Sequence, residues 1–181
     1  MLTNKTDVKA ILGISDNSQD TLIENLILEV DELIKSYCNR EFEYNTYTHT
    51  EFIKDVENPI FLVETPIDSI EKFYINTDEK DLAYTINKES GVMYLGYTTI
   101  LNNNSSLTED IFKIEYKGGY ETIPAGLISI ANDFVVYKYY KSGKDNSIES
   151  EKIDSLSIKY NNKNIEDSIF KKLNMYKRIK L

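Results

Sequence analysis

From Gln19 to Asn39 the apolar residues Leu22, Ile23, Leu26, Ile27, Val30, Leu33, Ile34 and Tyr37 recur at steps of one, three and four. That spacing lays a continuous stripe along an α-helix, with Glu24, Asn25, Glu29, Asp31, Glu32 and Lys35 on the other side. From Glu41 the period becomes two: Phe42, Tyr44 and Thr46 alternate with Glu43, Asn45 and Tyr47. A pattern of period 3.6 does not sit as a strand, nor one of period two as a helix. The chain must therefore bury a long amphipathic helix and then enter β structure.

The flanking segments extend both halves of that reading. Asn4–Leu12 reads as a short helix, capped by Thr3 or Asn4 and ended by Gly13. The segment SDNSQD supplies caps for the long helix. Downstream, NPIFLVETP, DSIEKFYI, DLAYTI, GVMYLGY and DIFKIEYKGGY are short β-rich runs bounded by Pro, Gly, Asn or Asp. Thr77–Asp81 and Asn87–Gly91 read as hairpin turns, and Leu101–Asp110 as a longer polar loop. Gly118 and Gly119 permit positive φ where a strand must turn toward a helix that opens at Pro124. Leu127, Ile128, Ile130, Ala131, Phe134, Val135, Val136, Tyr137, Tyr139 and Tyr140 cover most of that helix, leaving a narrow polar strip of Ser129, Asn132 and Asp133. Such a helix is either central to the fold or meets another subunit. On the second alternative Leu127, Ile130, Phe134 and Tyr137 are the interface residues. Ser142–Ser150 reads as a loop, Lys152–Tyr160 as a strand or extended arm, and Asn164–Arg178 as a last helix with Ile165, Ile169, Leu173 and Tyr176 on one face. The expected class is α+β: a mainly helical bundle core from 1–41 and 118–143, an antiparallel β insertion over 42–117, and a C-terminal arm and helix over 144–181, all one domain.

Charge narrows the partners. The 181 residues carry 21 basic and 30 acidic side chains, net −9. Residues 163–181 hold six basic and two acidic, net +4, which leaves −13 on the rest. An acidic body argues against a general nucleic-acid binder, since phosphate neutralisation needs clustered Lys and Arg. A basic end on such a body suits docking on an acidic partner. The single cysteine, Cys38, allows no intrachain disulfide and fits synthesis in a reducing cytoplasm. Met1–Leu12 holds no apolar export segment, and no apolar run approaches the roughly 20 residues that span a bilayer.

The chemistry-bearing residues read as structural. His49 is the only histidine and has no neighbouring Cys, so no usual zinc set forms around it. Cys38 reads as packing at a helix end. As a calcium loop, SDNSQD fails at Thr21, where the turn glycine belongs, and at Ile27, where the bidentate Glu belongs. KGGY lacks the GK[ST] of a phosphate loop. The expectation is no enzyme, no metal and no cofactor.

Taken in order, these motifs resemble the head–tail connector (adaptor) proteins of long-tailed phages. The resemblance runs through Asp20, Leu22, Ile23, Leu26 and Ile27, then Tyr37, Cys38, Arg40 and Phe42. It continues through Thr65, Pro66 and Ile67 before Ser69 and Ile70, and through Gly91–Leu95. Tyr116, Gly119, Tyr120 and Pro124 follow, then Ser150, Glu151, Ile153, Ser157 and Tyr160, with Asp154 where the family often has glycine. The resemblance implies a non-catalytic virion subunit at the head–tail junction. It implies a ring, twelve-fold to match the portal, that extends the channel for double-stranded DNA and offers a platform to the next connector, stopper or tail-completion protein. On that footing Lys171, Lys172, Tyr176, Lys177 and Arg178 are the expected portal-docking residues. The alternative is an accessory protein- or carbohydrate-binding module of a phage particle, suggested by the 14 tyrosines.

Overall fold

The computed structural model describes residues 1–52, 59–96, 111–142, 150–153, 156–159 and 162–178. The fold is α+β with antiparallel sheets, and the chain divides into two compact units. One comprises Met1–Asn39 and Ile123–Leu181, the other Arg40–Thr122. The expected polar loop at Leu101–Asp110 and most of that at Ser142–Ser150 lie outside the described residues.

The first unit holds the helices. Helix α1 (Lys5–Leu12) starts at Asn4, whose side chain accepts the Asp7 N–H at 3.0 Å, and stops at Gly13 in the left-handed region (φ 69°). Helix α2 (Asp20–Cys38) buries Ile23, Leu26, Ile27, Val30, Asp31, Ile34 and Cys38. Its start differs from expectation: Gln19 at the cap makes no side-chain bond. Asp16 instead accepts the N–H and the hydroxyl of Ser18, closing the preceding turn, while Asp20 bridges to Lys5 and Lys9 of α1 at 2.7 Å each. Leu22, placed on the apolar stripe, lies at its exposed margin.

Helix α3 (Ala125–Ser142) explains its own composition, because it packs on α1, α2 and a later helix α4 (Asn162–Leu173). Leu127, Ile130, Ala131, Phe134 and Val135 are buried within this one unit. The expectation that Leu127, Ile130 and Phe134 face another subunit is corrected: their surface is already covered inside the chain, with Leu127 and Phe134 at 0 % exposure. Tyr137 keeps a half-buried position, its hydroxyl 3.4 Å from Glu166. Asn132, assigned to the polar strip, is buried as well, and accepts a hydrogen bond from the Thr3 hydroxyl. The last helix contributes Ile169 and Leu173 to the interior, while Ile165 is exposed. Its Phe170 ring lies 4.8 Å from Tyr37 and 5.6 Å from Phe134. A short 3₁₀ turn, Asn174–Tyr176, follows it. The segment expected as a strand or extended arm contributes to a hairpin of β8 (Ser150–Ile153) and β9 (Leu156–Lys159).

The second unit is a pair of antiparallel sheets. The larger has the order β1 (Asn45–Phe52), β7 (Ile111–Gly118), β3 (Ile67–Ile75), β4 (Asp78–Lys80). The smaller has the order β2 (Ile60–Phe61), β6 (Val92–Leu95), β5 (Tyr84–Asn87). Ile60, Leu62, Ile67, Phe73, Leu82, Met93, Phe112, Ile114 and Tyr116 form the core of this unit. Two local readings change. The turn placed at Thr77–Asp81 is tighter: Asn76 takes φ 56°, so Ile75 faces Asp78 and Asp78–Lys80 is itself a strand. The alternation that starts at Phe42 does not run into β1, because Phe42 sits at φ 74° and breaks it. The half-buried residues of β1 are accordingly Tyr47, His49 and Glu51, out of phase with Phe42, Tyr44 and Thr46.

Candidate functional site

Seven of the motif residues scattered through the sequence, Arg40, Phe42, Thr65, Pro66, Tyr116, Gly119 and Tyr120, meet at one place in the β unit. Arg40 is 5 % exposed. Its guanidinium donates to the carbonyl oxygen of Thr65 and faces the rings of Phe42 and Tyr120, at 4.7 and 5.2 Å from their centres. Its Nε lies 3.9 Å from the Glu64 carboxylate. That carboxylate also accepts the backbone N–H of Glu41 at 3.1 and 3.0 Å. Burial pushes the Glu64 carboxyl above its ordinary value, while the Glu41 N–H and the Arg40 charge pull it back down.

The backbone around this cation is equally committed. The peptide between Thr65 and Pro66 is cis. The Glu64 N–H donates to the Tyr116 hydroxyl at 3.2 Å, and the Gly119 N–H is shared between the carbonyls of Glu64 and Pro66, 3.1 Å to each. Tyr120 donates to the Phe42 carbonyl, and Tyr44 donates to that of Tyr120. The paired glycines now have a physical reason. A Cβ on Gly118 would lie 2.0 Å from the Glu64 oxygen, and one on Gly119, at φ 91°, 2.2 Å from the Glu43 oxygen. Three backbone segments approach more closely than any side chain permits. The result is a clamp: a buried cation, aromatic walls and shared carbonyls, with its charge turned inward.

Nothing in this arrangement presents a reactive group. Among the described residues no cluster of His, Cys, Asp and Glu could hold a metal ion. His49 stands on β1 with its Nε2 3.1 Å from Glu51, and Cys38 is buried at the end of α2. The sequence reading overlooked Glu64 and placed Asp31 and Asn132 on polar faces, whereas all three are buried. Asp31 is a buried carboxylate that accepts the Leu2 N–H at 2.7 Å and pairs with Lys35 at 3.2 Å. Its spacing of four from Lys35 was a usable signal. Glu64 had none, because its partners lie 23 residues or more away in the chain.

The residues expected to dock a partner belong to the helical unit. Lys171 is exposed, and Lys172 reaches Asp133 at 3.4 Å. The Lys177 ammonium lies 4.5 Å from the centre of the Tyr37 ring. Tyr176 is half-buried beside Gly126, and the Arg178 N–H donates to the Cys38 carbonyl at 2.9 Å. These residues therefore continue a packed helix whose Leu173 is fully buried. Removing residues 163–181 would strip Ile169 and Leu173 from the core and open the helical unit.

The model of the family described as "Head completion protein" matches residues 1–179. The chain belongs to the head completion protein family. This is a structural phage family of head–tail connectors, as the ordered motifs implied. No curated protein matches the chain. Among solved structures, it is similar to a chain from the "Neck of empty GTA particle computed with C6 symmetry". That similarity has a TM-score of 0.61 at 6 % identity and covers 97 % of this chain and 89 % of the other. At so low an identity what is shared is the fold. No helix among the described residues of this head completion protein is long and apolar enough to cross a membrane.

Proposed function

We propose that the protein forms a ring beneath the portal of a packaged head, twelve-fold to match it, and extends the DNA channel toward the tail. The family match over residues 1–179 carries this reading. The fold shared with a neck component of a symmetric particle supports it. The acidic body supports it too, because DNA must slide through such a conduit and bound phosphates would hold it in place. The exposed Lys171, Lys172 and Lys177 form the portal-docking surface, while Tyr176 and Arg178 hold that segment in position. The distal side of the ring offers the platform for the next connector or the tail-completion protein. The role is structural and non-catalytic, and the protein resides in the virion.

The test is electron microscopy of particles produced with the gene deleted. DNA-filled or leaking heads and free, unattached tails are expected. Intact joined virions would overturn the reading. Charge reversal at Lys171 and Lys177 then tests the docking surface without removing Leu173 from the core. The variants are expected to melt like the parent and to fail to restore joining. Normal joining would remove docking from those two lysines.

A further inference from the structure

The two edges of the larger sheet are built differently. β4 is three residues long and wholly charged: Asp78, Glu79, Lys80. Short strands and charges are how sheet edges avoid pairing with other chains. β1, at the opposite edge, is eight residues long and pairs with β7 in unbroken register from Asn45↔Gly118 to Phe52↔Ile111. It has no proline, no lysine and no bulge, whereas β3 shifts register twice against the same β7. Thr46, Thr48, Thr50 and Phe52 are exposed along it, Phe52 at 65 %. Among the described residues no strand pairs with its outer side. A long edge in unbroken register, with threonines rather than lysine or proline along its exposed face, is a template for strand addition.

A second element is incomplete in a complementary way. β8 and β9 form a two-stranded sheet, four residues to a strand, and among the described residues no third strand joins them. An isolated two-stranded hairpin is marginal in water, and a third strand is what makes such a unit stable. Among the described residues, then, an unpartnered edge and a hairpin without a third strand lie in separate sheets. In a head-to-tail ring each subunit offers one surface to the neighbour on one side and the other surface to the neighbour opposite. We infer that the β8–β9 hairpin of one copy adds to the β1 edge of a second copy, so that strand addition links neighbours around the assembly. This rests on the ring reading above and specifies which surfaces close the ring.

The experiment introduces paired cysteines into the full chain and restores them to the gene-deleted background. Thr48→Cys on β1 is combined with Ser157→Cys on β9, and purified particles are treated with a bismaleimide, which tolerates a register error of one residue. The control pair is Asp78→Cys with Ser157→Cys, which uses the protected edge. A ladder of dimers and higher multimers is expected for the first pair, with monomer only for the control and for each single variant. Cys38 is buried and leaves the background low. If the protein is present in joined particles and the first pair stays monomeric, or the control pair ladders equally, strand addition at β1 is overturned while the ring reading stands. If the deletion strain yields joined particles, the ring reading falls and takes this inference with it.

Discussion

The β unit and the helical unit are held together by different means. The clamp around Arg40 depends on a fork of N–H donors, two missing Cβ atoms and a carboxylate placed for the backbone N–H groups of Glu41 and Phe42. The helical unit depends on apolar faces, in which Leu, Ile, Val and Phe fill space against one another. Side chains that fill space can be exchanged for others of equal volume. Groups that allow a backbone approach of 2.0–2.2 Å to a would-be Cβ cannot. This contrast accounts for the motif letters that fall in the clamp. Arg40, Phe42, Thr65, Pro66, Tyr116, Gly119 and Tyr120 are distant in sequence and adjacent in space.

The contrast is sharpest at Gly119. Replacing it by Val combines a positive-φ penalty with overlap onto the Glu43 carbonyl, so a loss of roughly 3–5 kcal/mol is expected. Thermal or denaturant unfolding measures it. A melt like the parent's would show that the strand end can move aside, and the clamp would lose its main support. Arg40→Leu comes next, at about 3 kcal/mol, because it leaves Glu64 buried without its cation and strips the contacts with Phe42 and Tyr120. Part of that loss should return in the double variant with Glu64→Leu. Equal stability of the single and double variants would separate the two residues energetically.

How much of this was legible follows the same line. Helix α2, the β-rich middle and the apolar α3 were readable because burial imposes a period on the sequence. The family was readable from the order of its motif residues along the chain, of which the clamp residues are one part. The clamp itself was not, since Arg40, Glu64 and Gly119 are brought together only by the sheet topology. Nor was the internal role of Leu127, Ile130 and Phe134: an all-round apolar helix looks the same whether its neighbours belong to its own chain or to another. The net +4 of residues 163–181 gave no sign that Leu173 and Ile169 anchor them to the core.

The helical side of the comparison predicts a graded response at Leu173. Truncation to Ala should cost about 2–3 kcal/mol, from lost burial and a partly uncollapsed cavity. Leu173→Met should cost less than about 1.5 kcal/mol. Urea midpoints at unchanged slope give both values. If Met were as harmful as Ala, the helical unit would share the shape intolerance of the clamp, and the contrast drawn above would fail.

The smallest effect concerns pH and returns to Glu64. Burial holds its carboxyl above the ordinary 4.5 in the folded chain. The native state therefore binds this proton more tightly than the unfolded state. The Glu64 contribution is full below 4.5 and declines as pH climbs through the folded value. Glu64→Gln keeps an acceptor for the Glu41 N–H but does not titrate. Asp20, which Lys5 and then Lys9 hold below its ordinary range, has the opposite sign and loses its contribution as pH falls. It is present in both proteins and cancels in their difference. The Tm of the variant minus that of the parent should thus rise as pH increases above 4.5, then level off. A difference that is flat across that window would mean the carboxylate is as well solvated as in the unfolded chain. A difference that falls would mean that Arg40 outweighs burial, and the clamp would then be a true ion pair rather than a cation held mainly by rings and a carbonyl.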